Sequence, residues 1–123
     1  MKIETYNSGI YRVLKIGDQL IISELQELKL LIEGYIERDE KYIAVNFCDV
    51  SYLFSGAVAV LVTCYTTLRD RGGELCLIES KPEMMDLLKV MGIDTLIPIF
   101  ESDGDLPVDI RQIEITFTGD FRG

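Results

Sequence analysis

Tyr42-Ile43-Ala44-Val45-Asn46-Phe47-Cys48-Asp49 runs straight into Val50-Ser51-Tyr52-Leu53-Phe54-Ser55-Gly56-Ala57, and a long apolar segment then closes at Arg71-Gly72-Gly73. The order reads as strand, exposed loop, helix and glycine stop. Ile43 to Val45 is an apolar run that ends in the short polar turn Asn46 to Asp49, and Tyr42 to Phe47 reads as a buried strand. Ala57 to Leu68 is rich in Val and Thr, which composition alone would allow in a strand. Its unbroken length, Arg69 and Arg71 in the last turn, and Gly72 just beyond favour a helix over Ala57–Arg71. Ser55 stands where that helix begins. The first backbone N–H groups of a helix have no partner within it and carry partial positive charge, so this spot favours an anion. Ser55 is therefore either an N-cap or a place where a phosphate is held.

Upstream, Ile3 to Tyr6 and Ile10 to Ile16 read as two short strands around the turn Asn7-Ser8-Gly9. Ser23 with Gln26 has the form of a capping box. Leu25, Leu28, Leu31, Ile32, Tyr35 and Ile36 recur at helical spacing, which predicts an amphipathic helix over Ser23–Arg38. Downstream, Glu74 to Ile78 is a further strand. Ser80 with Glu83 forms a second capping box, Pro82 lies in the first turn, and Gly92 stops a helix over Lys81–Met91. Met84, Leu87, Leu88 and Met91 line its inner face. Leu96 to Phe100 is a short strand broken by Pro98, hence near a sheet edge. Ile113, Ile115 and Phe117 alternate with polar residues, the period-two pattern of a half-buried strand. Alternating strands and helices imply an α/β domain with a mostly parallel central sheet, crossover helices and an N-terminal hairpin.

The 123 residues suit one domain. A net charge of -9 disfavours nucleic acid, whose binding rests on Lys and Arg neutralising phosphates. The chain has no His, which excludes His-based acid–base catalysis and His metal ligation. Cys48, Cys64 and Cys76 are too far apart for a Cys-x-x-Cys site and lie in apolar contexts, as expected of buried free thiols in a reducing compartment. Met1-Lys2-Ile3-Glu4 leads into no apolar signal region. The longest apolar stretch, Ala57 to Cys64, falls far short of the ~20 residues that span a bilayer. A cytoplasmic protein with no membrane partner is expected, and a homodimer is left open.

From Tyr42 onward the chain resembles the STAS family, the domain shared by sulfate transporters and anti-sigma factor antagonists. The strand end Ile43-Ala44-Val45-Asn46 matches with Asn46 in place of the family's Asp, and Val50-Ser51-Tyr52-Leu53 matches the hydrophobic loop. Phe54-Ser55-Gly56-Ala57 falls on the tetrad Asp-Ser-Ser-Gly, and Val58 to Gly73 continues without a gap. Ser80-Lys81-Pro82-Glu83, Leu87-Leu88, Met91-Gly92-Ile93 and Ile97-Pro98-Ile99-Phe100 resemble the third helix and the strand after it. The resemblance covers about Ile3 to Leu106. A domain over residues 1–106 is expected, with 107–123 an added strand or arm of it.

In soluble members of that family the first serine of the tetrad is phosphorylated by a partner that is both serine kinase and anti-sigma factor. The unphosphorylated form binds this partner and releases the sigma factor. The resemblance therefore implies Ser55 as phosphoacceptor and an anti-sigma factor/serine kinase protein as partner. Phe54 replaces the tetrad Asp, Gly56 the second Ser, and Ala57 the Gly. Phe54, Gly56, Ala57, Asn46 and Asp49 are the candidate partner contacts. Phe54 is either a core residue at the strand–helix turn or an exposed anchor, and Asn46 and Asp49 are equally able to shape the loop by bonding nearby backbone. Met84, Met85 and Met91 read as core, and Glu101, Asp103 and Asp105 as a solvated cluster without calcium-loop spacing. No catalytic group, cofactor or metal site is expected. The competing reading is a STAS-like scaffold module that binds another protein or a small ligand without phosphorylation.

Overall fold

A computed structural model describes residues 2–17, 22–53 and 55–109. The chain begins with an antiparallel hairpin, β1 (Ile3–Ser8) and β2 (Tyr11–Ile16). Ser8 pairs with Tyr11, so the turn is Gly9-Ile10 and not Asn7-Ser8-Gly9. Gly9 supplies the positive φ, +58°, that a two-residue hairpin loop needs at its first position. A 3-10 turn at Ile22–Glu24 leads into α1 (Leu25–Glu37), followed by β3 (Tyr42–Asn46), α2 (Ser55–Asp70), β4 (Glu74–Ile78) and α3 (Pro82–Val90). A 3-10 turn at Ile93–Thr95 precedes β5 (Ile99–Phe100), and another at Asp103–Asp105 follows it.

The five strands lie in chain order, and β2, β3, β4 and β5 are parallel. Parallel neighbours need crossovers, and crossovers of one hand that all advance in one direction leave their helices on the same face. Leu28, Ile32 and Ile36 of α1, Leu61 and Leu68 of α2, and Met84 and Leu88 of α3 share one core with Leu14, Ile43, Val45, Leu75 and Leu77. Alternate strand residues point the other way. Tyr11, Val13, Ala44, Cys76 and Ile78 form a second cluster with Leu106, and Tyr6, Tyr42 and Phe100 pack around it. No helical residue of the described set takes part in it. The segment after β5 lies on this face, held where the Tyr6 hydroxyl donates to Asp103 Oδ2 at 2.5 Å. Asp103 is thus fastened to the sheet, and the acidic cluster is not merely solvated.

The helix ends differ from the sequence expectation at their starts. α1 has Glu24 at its N-cap with no side-chain cap bond, so the Ser23–Gln26 box does not form. At α3 the N-cap is Lys81, again without a side-chain cap bond, because Pro82 occupies the first helical position. Ser80 therefore stands one residue too early to cap, and its hydroxyl reaches Cys48 Sγ at 3.7 Å. The glycine stops behave as expected. Gly72 (φ +82°) follows α2, its N–H reaching Arg69 O at 3.0 Å while Gly73 N–H reaches Leu68 O at 2.9 Å, a Schellman closure. The predicted strand Leu96–Phe100 shrinks to Ile99–Phe100, because the chain turns through Ile93–Thr95 and Pro98 has no N–H to donate. The period-two segment Ile113–Phe117 lies outside the described residues. No helix among the described residues is long and apolar enough to cross a membrane.

Candidate functional site

The loop from β3 to α2 emerges at the carboxyl ends of the parallel strands, where open α/β sheets carry their sites. Its root is fixed by three local bonds. Asn46, only 6% exposed, accepts the Cys48 N–H on Oδ1 at 2.9 Å. Phe47 N–H donates to Ile78 O, and Val50 N–H donates back to Phe47 O, both at 2.9 Å. Asn46 thus acts as a loop-shaping residue. Phe47, Val50 and Leu53 are buried, which pins the loop at three points and leaves Ser51 and Tyr52 outside. Phe47 is a core side chain, as the buried strand expected over Tyr42 to Phe47 requires, although β3 itself ends one residue earlier.

Ser55 is the first residue of α2 and is exposed. It belongs to the helix instead of preceding it, so its own N–H is among the first-turn donors that have no acceptor within the helix. Gly56 is half-buried, and Ala57 is fully buried where α2 packs onto the sheet. Asp49 faces Lys15 at 3.7 Å in an exposed pair of little energetic weight. Both expectations for Phe54, core or anchor, lie outside the described residues. An exposed aromatic does stand in this loop: Tyr52 is 55% exposed.

Sequence reasoning missed Glu79 and Lys81. Glu79 is fully buried, and its Oε1 lies 3.1 Å from the Lys81 ammonium and 2.9 Å from the Lys81 N–H. The same ammonium donates to Phe47 O at 3.1 Å and Cys48 O at 2.5 Å. The available signal was a charged pair set directly against an apolar strand end, Leu75 to Ile78, where a helix cap alone was read.

Cys48, Cys64 and Cys76 are free thiols. Burial, with a smaller push from Glu33, raises the Cys64 thiol to about 11, and burial raises Cys76 further, so both stay protonated near neutrality. Among the described residues no group of three or more Cys, Asp or Glu side chains gathers in metal-binding fashion. The arrangement offers an exposed hydroxyl on the first turn of α2, with Tyr52 and Ser51 exposed three and four residues earlier in the chain. It suits acceptance of an anion-bearing group and docking of another protein.

A search of curated proteins returns no significant match. Among solved structures the chain is similar to an anti-sigma factor antagonist from Mycobacterium paratuberculosis, with TM-score 0.73 and 13% identity over 82% of this chain and 86% of that one. It is also similar to the Bacillus cell fate determinant SpoIIAA in its phosphorylated form, with TM-score 0.65 and 15% identity over 84% and 95% of the two chains. The anti-sigma factor antagonist SpoIIAA in its unphosphorylated form gives TM-score 0.64 and 16% identity over 82% and 87%. At such identities the likeness is one of fold. The STAS domain profile matches residues 2–106, most of the chain, and the protein therefore belongs to the STAS domain family.

Proposed function

We propose that this STAS domain is a protein-binding switch of the anti-sigma factor antagonist kind, controlled by phosphorylation at Ser55. The observation that carries the reading is Ser55 itself, an exposed hydroxyl on the first turn of α2 at the end of an otherwise pinned loop. Its partner would be an anti-sigma factor that is also a serine kinase. In the unmodified state Ser51, Tyr52, Ser55 and Gly56 present a nearly uncharged surface to that partner. Phosphoryl transfer from ATP replaces the Ser55 O–H bond by an O–P bond, and ADP and the hydroxyl proton leave. The phosphate adds close to two negative charges and three acceptor oxygens, which suit the N–H groups of a helix's first turn. Because the chain already carries -9, the added charge repels an acidic partner patch and adds bulk at the docking surface. That SpoIIAA is known in phosphorylated and unphosphorylated forms supports the reading, since the shared fold tolerates such a modification.

The reading needs no catalytic group on this chain. It is tested by incubating the protein with ATP and a candidate serine kinase of the anti-sigma factor kind, then measuring intact mass. Gain of one phosphate, absent in Ser55→Ala, is the expected result. Tight binding of that partner with no mass change would favour the unphosphorylated scaffold reading instead.

A further inference from the structure

We infer that Lys81 is a positioning residue for the Ser55 site, clamping the root of the loop that carries it. The inference deepens the proposed function and rests on Ser55 as the modified residue. Two costly choices stand side by side. Glu79 has a fully buried side chain, and its Oε2 is buried with no hydrogen-bond partner. Burying a carboxylate is expensive unless it is paired. Lys81 places a cation at the N-cap of α3, the wrong sign for the positive end of a helix, and its side chain makes no cap bond. Glu79 answers the backbone N–H of the N-cap on one oxygen and leaves the other unpaired, while the Lys81 ammonium does nothing for α3 by standing there.

What the two achieve together lies across the sheet end. A lysine ammonium has three N–H donors. Those of Lys81 meet three acceptors: Phe47 O at 3.1 Å, Cys48 O at 2.5 Å and Glu79 Oε1 at 3.1 Å. Glu79 also takes the Lys81 backbone N–H at 2.9 Å, which holds the lysine over the loop. Phe47 and Cys48 belong to the turn closed by Val50 N–H on Phe47 O. Lys81 therefore ties the β4–α3 connection to the turn that opens the loop carrying Ser51 and Tyr52 and leading to Ser55 at the start of α2. Its loss takes a donor from both carbonyls, leaving Phe47 O with the Val50 N–H alone, and so loosens the loop that leads into the first turn of α2, so that the hydroxyl is no longer held in one place for a kinase.

Cys48 is the built-in reporter. It is half-buried beside the clamp, whereas Cys64 and Cys76 are 1% and 0% exposed. The test measures labelling of Cys48 by Ellman's reagent in the folded full chain, with the labelled site assigned by mass spectrometry. It compares wild type, Lys81→Met and the double variant Glu79→Leu/Lys81→Met. Lys81→Met strands the buried Glu79 and should lower the melting temperature. The double variant removes both charges and should recover it, because taking out the pair as a whole leaves no uncompensated charge in the interior. Labelling of Cys48 should be at least about tenfold faster than wild type in both variants, since an opened turn exposes its thiol. Ser55 phosphorylation by the kinase that modifies the wild type should slow in both as well. A double variant that recovers its melting temperature and also labels at the wild-type rate would overturn the clamp. Should Lys81→Met fail to fold, the double variant decides alone. If wild-type protein accepts no phosphate, the Ser55 reading fails, while the labelling rates still judge the clamp.

Discussion

The Tyr6 hydroxyl donates to Asp103 Oδ2 at 2.5 Å and so joins the first strand to the segment after the last one, 97 residues apart. The other carboxylate oxygen, Oδ1, is buried without a partner. Tyr6→Phe therefore leaves Asp103 with neither oxygen bonded by this tyrosine. Hydrogen bonds to charged groups contribute roughly 1.5–3 kcal/mol when buried, and partial exposure of this one brings the expectation to about 1 kcal/mol. Calorimetry should show a melting temperature lower by a few degrees.

Alkaline pH should act through groups on both faces of the sheet. Burial, with Asp103 second, raises Tyr6 from 10.0 to about 12. Burial raises Cys64 from 9.0 to about 11. In each case the folded state favours the protonated form. The stability so gained is complete below the unfolded value and is lost as pH rises through the folded one. Unfolding free energy should thus decline from about pH 9 through 12. Cys64→Ala should make the decline between pH 9 and 11 less steep, leaving the part that the still more raised Cys76 contributes, and denaturant titrations across that range measure it.

Gly73 is a backbone contact point. A Cβ there would overlap the carbonyl of Lys41, the same carbonyl that accepts the Glu74 N–H at 2.8 Å. Backbone cannot swing aside as a side chain can, so Gly73→Ala must part β3 from β4 at their entry. A loss of about 2–3 kcal/mol is expected. Gly34→Ala, with open space around it, should be neutral or stabilising in a parallel melt.

Much of this architecture was legible from apolar runs and glycine punctuation. β4 falls at Glu74–Ile78 as read, and Gly72 and Gly92 adopt φ of +82° and +76° where helices were expected to stop. Ser55 at the start of α2 was legible from the break between polar loop and apolar segment. The serine caps were not, because the pattern Ser-x-x-Glu is blind to a shift of one residue. Pro82 fixes the first helical position and so makes Lys81 the cap. The Glu79–Lys81 clamp could not be seen either, since its acceptors are carbonyls more than thirty residues away that only the parallel pairing of β3 and β4 brings near.

Ser55, not Ser51, should carry any phosphate. Both are exposed, but Ser51 precedes the buried Leu53 and has no helix start of its own. Phosphopeptide mapping after kinase treatment should locate the label on Ser55, and Ser51→Ala should be modified at the wild-type rate. A label on Ser51 that persists in Ser55→Ala would refute this assignment. Ser55→Asp should weaken partner binding less than the phosphate does, because one carboxylate carries half the charge and fewer acceptors.

The aromatic anchor of the docking surface should be Tyr52. A large side chain 55% exposed beside Ser51, on a loop pinned by Val50 and Leu53, is presented at low entropic cost to a partner. Truncating a central aromatic anchor commonly costs ~2 kcal/mol or more, roughly thirtyfold in affinity. Tyr52→Ala should therefore weaken binding of the kinase partner about thirtyfold while moving the melting temperature by no more than a few degrees. Phe54→Ala supplies the comparison. If Phe54 packs into the core, its truncation lowers stability by ~3 kcal/mol or more and leaves the affinity of the folded fraction unchanged. If Phe54 shares the surface, both variants lose affinity and neither loses much stability. Calorimetric melts and binding titrations of the same two variants separate these outcomes. A Tyr52→Ala protein that binds as tightly as wild type would remove Tyr52 from the interface.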